Sequence, residues 1–160
     1  MGARKIAVFN FILLLFAVSC SDSENVWQQS VTIPKSVWDK DSVLKFNIPV
    51  IDTVSTYTFY VNIRNRLDYD YQNLYLFIRT EAPNGGVTVD TLNYTLAYSS
   101  GEWTGKGGIF SKYRENTFMY RNYVMFPVTG IYTVSLRHGM RDNSLQGIAS
   151  AGLILRNFNN

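Results

Sequence analysis

Hydrophobic and polar residues alternate with a period of two along much of the chain from residue 26 onward. The clearest case is 56–65, where aromatic and β-branched residues occupy every second position and polar residues fill most of the others. This is the period of a β-strand that buries one face. The run 74–79 is apolar on both sides, which predicts a strand at the centre of a sheet.

Further runs rich in β-branched and aromatic residues predict additional strands, at 43–50, 87–98, 120–126, 131–136 and 148–155. Turn residues separate them, including Pro83-Asn84-Gly85-Gly86 and Gly130. No run keeps a helical period over three turns. Seven or eight short strands with turns between them predict an all-β fold, a single jelly-roll-like β-sandwich.

The first 20 residues follow a different pattern. Arg4 and Lys5 precede an apolar run over 6–18, which is too short to cross a membrane comfortably and is typical of a cleaved export signal. The run leads to Ala17-Val18-Ser19-Cys20, which resembles the lipobox of bacterial lipoproteins, with lipidation at Cys20. An ordinary signal peptide that happens to contain a cysteine is the alternative. We therefore expect a lipoprotein signal peptide at 1–19, the lipidated cysteine and a tether at 20–27, and the sandwich at 28–160.

Removal of this segment changes the charge. The full chain has 15 basic and 12 acidic residues, and loss of Arg4 and Lys5 leaves 13 against 12. The remaining excess of one basic residue does not indicate a basic patch for a nucleic-acid partner. Attachment to a membrane through two or three acyl chains is instead expected, because one chain alone binds only marginally.

A Gly-rich segment between two predicted strands is the candidate partner- or ligand-binding loop. Its residues are Gly101, Glu102, Trp103, Gly105, Lys106 and Gly107. The spacing of the glycines does not match a phosphate-binding loop. Glycine would let the backbone approach a partner, with Trp103 as an aromatic anchor. The alternative is a long connection in which Trp103 covers the end of the core.

Candidate chemistry is sparse. The chain has one cysteine and one histidine, His138, which we expect in a surface turn. The segment 68–73 lacks the Gly and the distant Glu of a calcium loop, so we expect a hairpin turn there and no metal, cofactor or catalytic residue. Two alternatives stay open: a glycan platform centred on Trp38 or Trp103, and a hydrolase built on paired carboxylates.

Several phrases resemble the GldH family of gliding-motility lipoproteins from Bacteroidota. They are Cys20, Ile63-Arg64-Asn65, Tyr71-Gln72-Asn73-Leu74-Tyr75-Leu76-Phe77-Ile78, Asp90-Thr91-Leu92, Gly101-Glu102-Trp103-Thr104-Gly105-Lys106-Gly107, Phe126-Pro127, Met140-Arg141 and Leu145-Gln146-Gly147-Ile148. The resemblance implies a non-catalytic lipoprotein of the cell envelope, placed at the outer membrane. It also implies a protein partner in the gliding apparatus, which is linked to type IX secretion.

Overall fold

The computed structural model describes residues 25–158, and these residues are almost entirely β-structure. Cys20 and the signal segment lie outside the described residues. In chain order the elements are β1 (Asn25–Thr32), a 3-10 turn (Pro34–Ser36), β2 (Val37–Asp39), β3 (Leu44–Val50), β4 (Tyr57–Arg66), β5 (Asn73–Glu81), β6 (Val87–Thr95), β7 (Tyr113–Val124), β8 (Gly130–His138), β9 (Ser144–Gln146) and β10 (Ile148–Asn157). No helix within this range is long and apolar enough to cross a membrane.

The strands form two four-stranded antiparallel sheets. The first sheet has the order β1-β10-β4-β7 and the second the order β3-β8-β5-β6, while β2 and β9 form a short separate ribbon. The chain crosses repeatedly from one sheet to the other, and the eight long strands follow the jelly-roll arrangement. The prediction of an all-β sandwich is confirmed.

The core lies between the two sheets, where every second side chain of the strands points inward. In β4 the predicted alternation holds, with Tyr57, Phe59, Val61 and Ile63 buried. Other large side chains that are fully buried are Phe46, Ile48, Leu74, Leu76, Ile78, Leu96, Leu136, Leu145, Ile148 and Leu153. Each such side chain stabilises the fold by about 1.5–3 kcal/mol relative to an exposed one.

The run 74–79 forms the middle of β5, which lies between β8 and β6 as predicted for a central strand. Only one of its faces is buried, however. Tyr75 and Phe77 lie on the outer face of the second sheet, and the guanidinium of Arg137 covers the ring of Phe77 at 5.4 Å. The apolar outer residues are therefore partly shielded by a neighbouring side chain rather than by a second layer.

Several boundaries differ from the prediction. Strand β1 begins at Asn25, which pairs with Arg156, so the last three residues of the expected tether are already part of the sheet. Strand β7 begins at Tyr113 rather than near residue 120, because pairing with β4 continues along its polar first half. The alternation of hydrophobic and polar residues did not predict the short strands β2 and β9.

Two predictions about single segments are wrong. His138 is completely buried at the end of β8, where its ring packs edge-on against Trp38 at a centroid distance of 5.6 Å. Burial lowers the pKa of this imidazole, although the backbone of Trp38 acts in the opposite direction. The segment 68–73 is not a hairpin turn, since it connects β4 in the first sheet to β5 in the second.

The register of the strands defines two ends of the sandwich. One end holds the loops 51–56, 82–86 and 125–129. We call it the proximal end because the first strand, β1, starts there, beside Arg156 and Thr58. The distal end holds the segments 33–43, 67–72, 96–112 and 139–147. Strand β4 runs from one end to the other over ten residues, which corresponds to about 30 Å.

Candidate partner-binding loop

The predicted loop is part of the long connection 96–112, which links β6 in the second sheet to β7 in the first. It opens with a tight turn in which the amide of Gly101 donates to the carbonyl of Tyr98 at 2.9 Å. Gly101 has φ +85°, a left-handed conformation that glycine adopts without steric cost. The amide of Tyr98 donates to the carbonyl of Glu102 at 2.8 Å, which closes the turn.

After this turn the connection pairs with the edge of β7. The amide of Lys106 donates to the carbonyl of Glu115 at 2.9 Å, and the amide of Glu115 donates to the carbonyl of Lys106 at 2.8 Å. A Cβ atom at Gly105 would lie 2.8 Å from the Glu115 carbonyl, and one at Gly107 would lie 2.6 Å from the Tyr113 carbonyl. The two glycines therefore allow the backbone to approach β7 of the same chain closely.

A chain of polar side chains fixes the same contact from within. The hydroxyl of Thr104 donates to the side-chain oxygen of Asn116 at 2.8 Å, and the carbonyl of Leu96, 3.0 Å from the same hydroxyl, is an alternative acceptor for its one proton. The amide group of Asn116 donates to Asn65 at 3.3 Å. Asn65 and Asn116 are both buried, so the side-chain oxygen of each depends on these contacts for its hydrogen bond. The loop is thereby tied to β7 and, through β7, to β4.

The two tryptophans considered as ring platforms have different surroundings. Trp38 is 1% exposed and its indole N–H donates to the carbonyl of Ser42 at 3.0 Å, so it presents no free face. Trp103 is half-buried, packs against the core and lies 6.5 Å from the ring of Tyr69. Trp103 thus covers the distal end of the core while part of its ring reaches the surface.

The tip of the connection carries the apolar side chains that the sequence reasoning missed. Ile109 is 94% exposed and Phe110 is 97% exposed, in a turn closed by the amide of Ser111 donating to the carbonyl of Gly108 at 2.9 Å. Glu102, Lys106 and Gly107 are exposed beside them. The sequence feature that could have indicated this tip is the pair of large apolar residues directly after Gly-Gly, outside any alternating pattern.

A cleft of about 370 Å3 opens between β6 and β7 near the proximal end, with a mostly apolar lining that includes Phe59, Val124 and Phe126. Beside it, Asp90 of β6 accepts hydrogen bonds from Tyr120 and from Arg121 of β7, the latter at 2.6 Å. Burial and the bond to Asp90 raise the pKa of Tyr120. No carboxylate lines this cleft, and residues 25–158 contain no group of three acidic, His or Cys side chains that could hold a metal ion.

Fold and loop together define a jelly-roll β-sandwich that presents an exposed apolar loop tip at one end. Residues 25–155 match the GldH lipoprotein family, and the chain belongs to this family. A lipoprotein of this family is held at the cell envelope by a lipid anchor.

Two curated relatives are similar over nearly their whole length. The gliding motility lipoprotein GldH homolog of Christiangramia forsetii is 34% identical, with 99% of each chain covered. The gliding motility lipoprotein GldH of Flavobacterium johnsoniae is also 34% identical and covers 88% of this chain and 91% of its own. A coat protein dimer of tobacco streak virus covers 81% of this chain and 84% of its own at 12% identity, but its TM-score of 0.27 is too low to support an argument.

Proposed function

We propose that this protein is a non-catalytic binding component of the cell envelope that serves gliding motility or type IX secretion. Lipidation at Cys20 attaches it to the outer membrane, and the distal loop binds a protein of that machinery. The names of the two relatives support the link to gliding motility. The observation that carries the binding role is the exposure of Ile109 and Phe110 at the tip of a loop fixed to β7.

The energetics of the tip favour binding. A monomeric domain gains nothing from two large apolar side chains in water, whereas each contributes about 1.5–3 kcal/mol when it is fully buried. Together they correspond to about two to four orders of magnitude in Kd. The bonds between Lys106 and Glu115 hold the loop in place before binding, so little conformational entropy is lost on association.

The position of the tip fits the same role. It lies at the distal end, about 30 Å along β4 from the end where β1 begins. A partner bound there does not compete with the membrane for space.

The test compares two sets of serine substitutions in a strain that lacks the native gene. Ile109→Ser with Phe110→Ser removes the apolar tip, and Val89→Ser, at an apolar side chain of β6 that is 63% exposed, is the control. We expect equal protein levels, with one envelope protein co-purifying with the wild type and with the control but not with the double variant. Wild-type co-purification and full complementation by the double variant would refute the role of the tip.

A separate variant tests the anchor. Cys20→Ala should release the protein from the membrane and abolish complementation, because no acyl chains can be added. Complete rescue by this soluble form would show that attachment is not needed for function.

Glycan binding is the second candidate function. Trp103 and Tyr71 are each partly exposed, and both contact the buried ring of Tyr69, at centroid distances of 6.5 Å and 5.7 Å. Aromatic faces of this kind stack on sugars. Binding to a glycan array that is lost in Trp103→Ala and kept in Ile109→Ser would favour this function over the protein-binding one.

A further inference from the structure

The two ends of the sandwich differ sharply in charge. The proximal loops 51–56, 82–86 and 125–129 contain a single charged residue, Asp52. The distal segments contain eleven in 43 residues, against one in 16 for the proximal loops: Lys35, Asp39, Lys40, Asp41, Asp68, Asp70, Glu102, Lys106, Lys112, Arg141 and Asp142. Little desolvation free energy is lost when an end with so few charges is moved from water to an apolar medium.

Large apolar side chains are exposed in the proximal loops as well as in the distal segments. Ile51 is 91% exposed and Val54 is 82% exposed in the loop between β3 and β4. Met125 is exposed in the loop after β7, and the exposed ring of Tyr123 at the end of β7 packs on Phe158 at 4.1 Å. Large apolar residues together with a tyrosine are typical of surfaces that meet the boundary between water and lipid.

The single carboxylate of these loops is turned back into its own loop. Asp52 accepts hydrogen bonds from the amides of Val54 at 2.7 Å and Ser55 at 3.2 Å, and from the hydroxyl of Tyr57 at 3.4 Å. Bonds from the side chain of Ser55 and from these amides lower the pKa of Asp52 to about 2. In the turn that Asp52 stabilises, the side chain of Val54 is exposed to solvent.

The start of β1 places this end beside the expected anchor. Asn25 pairs with Arg156, and Arg156 pairs with Thr58, so the structured chain begins at the proximal end. Only the four residues 21–24 separate Asn25 from Cys20. Five residue steps span about 18 Å at most when fully extended. The proximal end therefore stays close to the membrane if Cys20 is lipidated.

We propose that the proximal end rests directly on the lipid bilayer that holds the anchor, with Ile51, Val54 and Met125 inserted at its surface and Tyr123 among the headgroups. The inference rests on the proposed lipidation of Cys20. Contact with lipid fixes the orientation of the sandwich, so that the tip at Ile109 and Phe110 points away from the membrane. The lipid surface is the second binding partner of the domain.

The experiment uses the lipidated full-length protein in phosphatidylethanolamine and phosphatidylcholine vesicles. Cys20 is the sole natural cysteine and lipidation consumes its thiol, so an introduced cysteine can be labelled selectively with an environment-sensitive fluorophore. Val54→Cys reports on the proximal end, and Ile109→Cys is the matched control, because both side chains are exposed in loops. Nitroxide-labelled lipid then quenches only probes that reach a depth of about 5–10 Å, the depth of interfacial segments.

We expect the Val54 probe to shift its emission to shorter wavelength and to lose most of its fluorescence to the nitroxide, while the Ile109 probe stays unquenched. Equal, water-like emission of both probes in vesicle-bound protein would overturn the inference, and quenching at Ile109 alone would show the opposite orientation. Flotation of the same samples separates the two proposals. Protein that does not float with the vesicles refutes the lipid anchor itself. Protein that floats but has a water-exposed Val54 probe refutes only the contact between the proximal end and the lipid.

Discussion

A single methyl group at Gly105 should detach the distal loop from β7. The added Cβ of Gly105→Ala would lie 2.6 Å from the side-chain nitrogen of Asn116 and 2.8 Å from the carbonyl oxygen of Glu115. Real Cβ atoms do not approach other atoms so closely. Strand β7 cannot move away, because its other edge is paired with β4 along nearly its whole length. The loop must therefore move instead.

The size of the effect follows from the bonds that the movement breaks. Two backbone hydrogen bonds join Lys106 and Glu115, and the hydroxyl of Thr104 bonds Asn116. Each contributes about 0.5–1.5 kcal/mol, so their loss amounts to about 2–4 kcal/mol. With a urea dependence of about 2 kcal/mol per molar, the unfolding midpoint should fall by about 1–2 M.

The matched control is Gly108→Ala, two residues beyond the contact with β7. A Cβ atom at Gly108 meets nothing within 4 Å, so this variant should unfold within about 0.5 kcal/mol of the wild type. Hydrogen exchange at the amides of Lys106 and Glu115 checks the mechanism, because only Gly105→Ala should speed it. Equal midpoints for the two variants, or unchanged protection at both amides, would refute the reasoning.

Two further substitutions test the buried polar groups. Burial lowers the pKa of His138, so as the pH falls the unfolded chain takes up the proton before the folded one does. The free energy of unfolding should therefore fall as the pH drops below about 6.5. Urea midpoints at two pH values should show this fall in the wild type and not in His138→Phe. Asn116→Ala leaves the buried side-chain oxygen of Asn65 without a donor, whereas Thr104 keeps the Leu96 carbonyl as an acceptor. The loss should be about 1–3 kcal/mol, and a loss below about 0.5 kcal/mol in urea unfolding would show that water replaces the amide.

The parts of the fold that the sequence predicts are those where one face of a strand is buried. The ends of strands β4 and β8 were predicted to within a few residues, because a shift of either strand by one position would move its apolar side chains from the core to the solvent face. The turn at Gly130 was also predicted, and its φ of +132° shows why glycine stands there. Local rules were sufficient where burial and turn geometry act on adjacent residues.

His138 was misplaced although the signal was present. Tyr132, Val134 and Leu136 point into the core from alternate positions of β8, and residue 138 continues the same series. Its polar character and the glycine after it favoured a turn, but packing against Trp38 determines its position. Only the fold brings these two rings together, since they lie a hundred residues apart in the chain.

The distal loop was predicted as a site, but the role of its glycines could not be derived from the sequence. Gly105 and Gly107 allow a close backbone approach, and spacing alone does not show whether a ligand or another strand is approached. Ile109 and Phe110 escaped notice for a related reason. Periodicity identifies the buried side of regular strands and says nothing about which side chains of a long loop face water.

The edges of a sandwich are the usual places where another chain could add a strand, and β7 is such an edge. Its first half is covered by Lys106, which pairs with Glu115. Its second half is irregular, with register shifts opposite Phe59 and a positive φ of 55° at Tyr123. Bulges of this kind twist an edge away from partners. Strand addition at β7 is therefore disfavoured at both of these places, and β7 offers another chain a less regular edge than its length suggests.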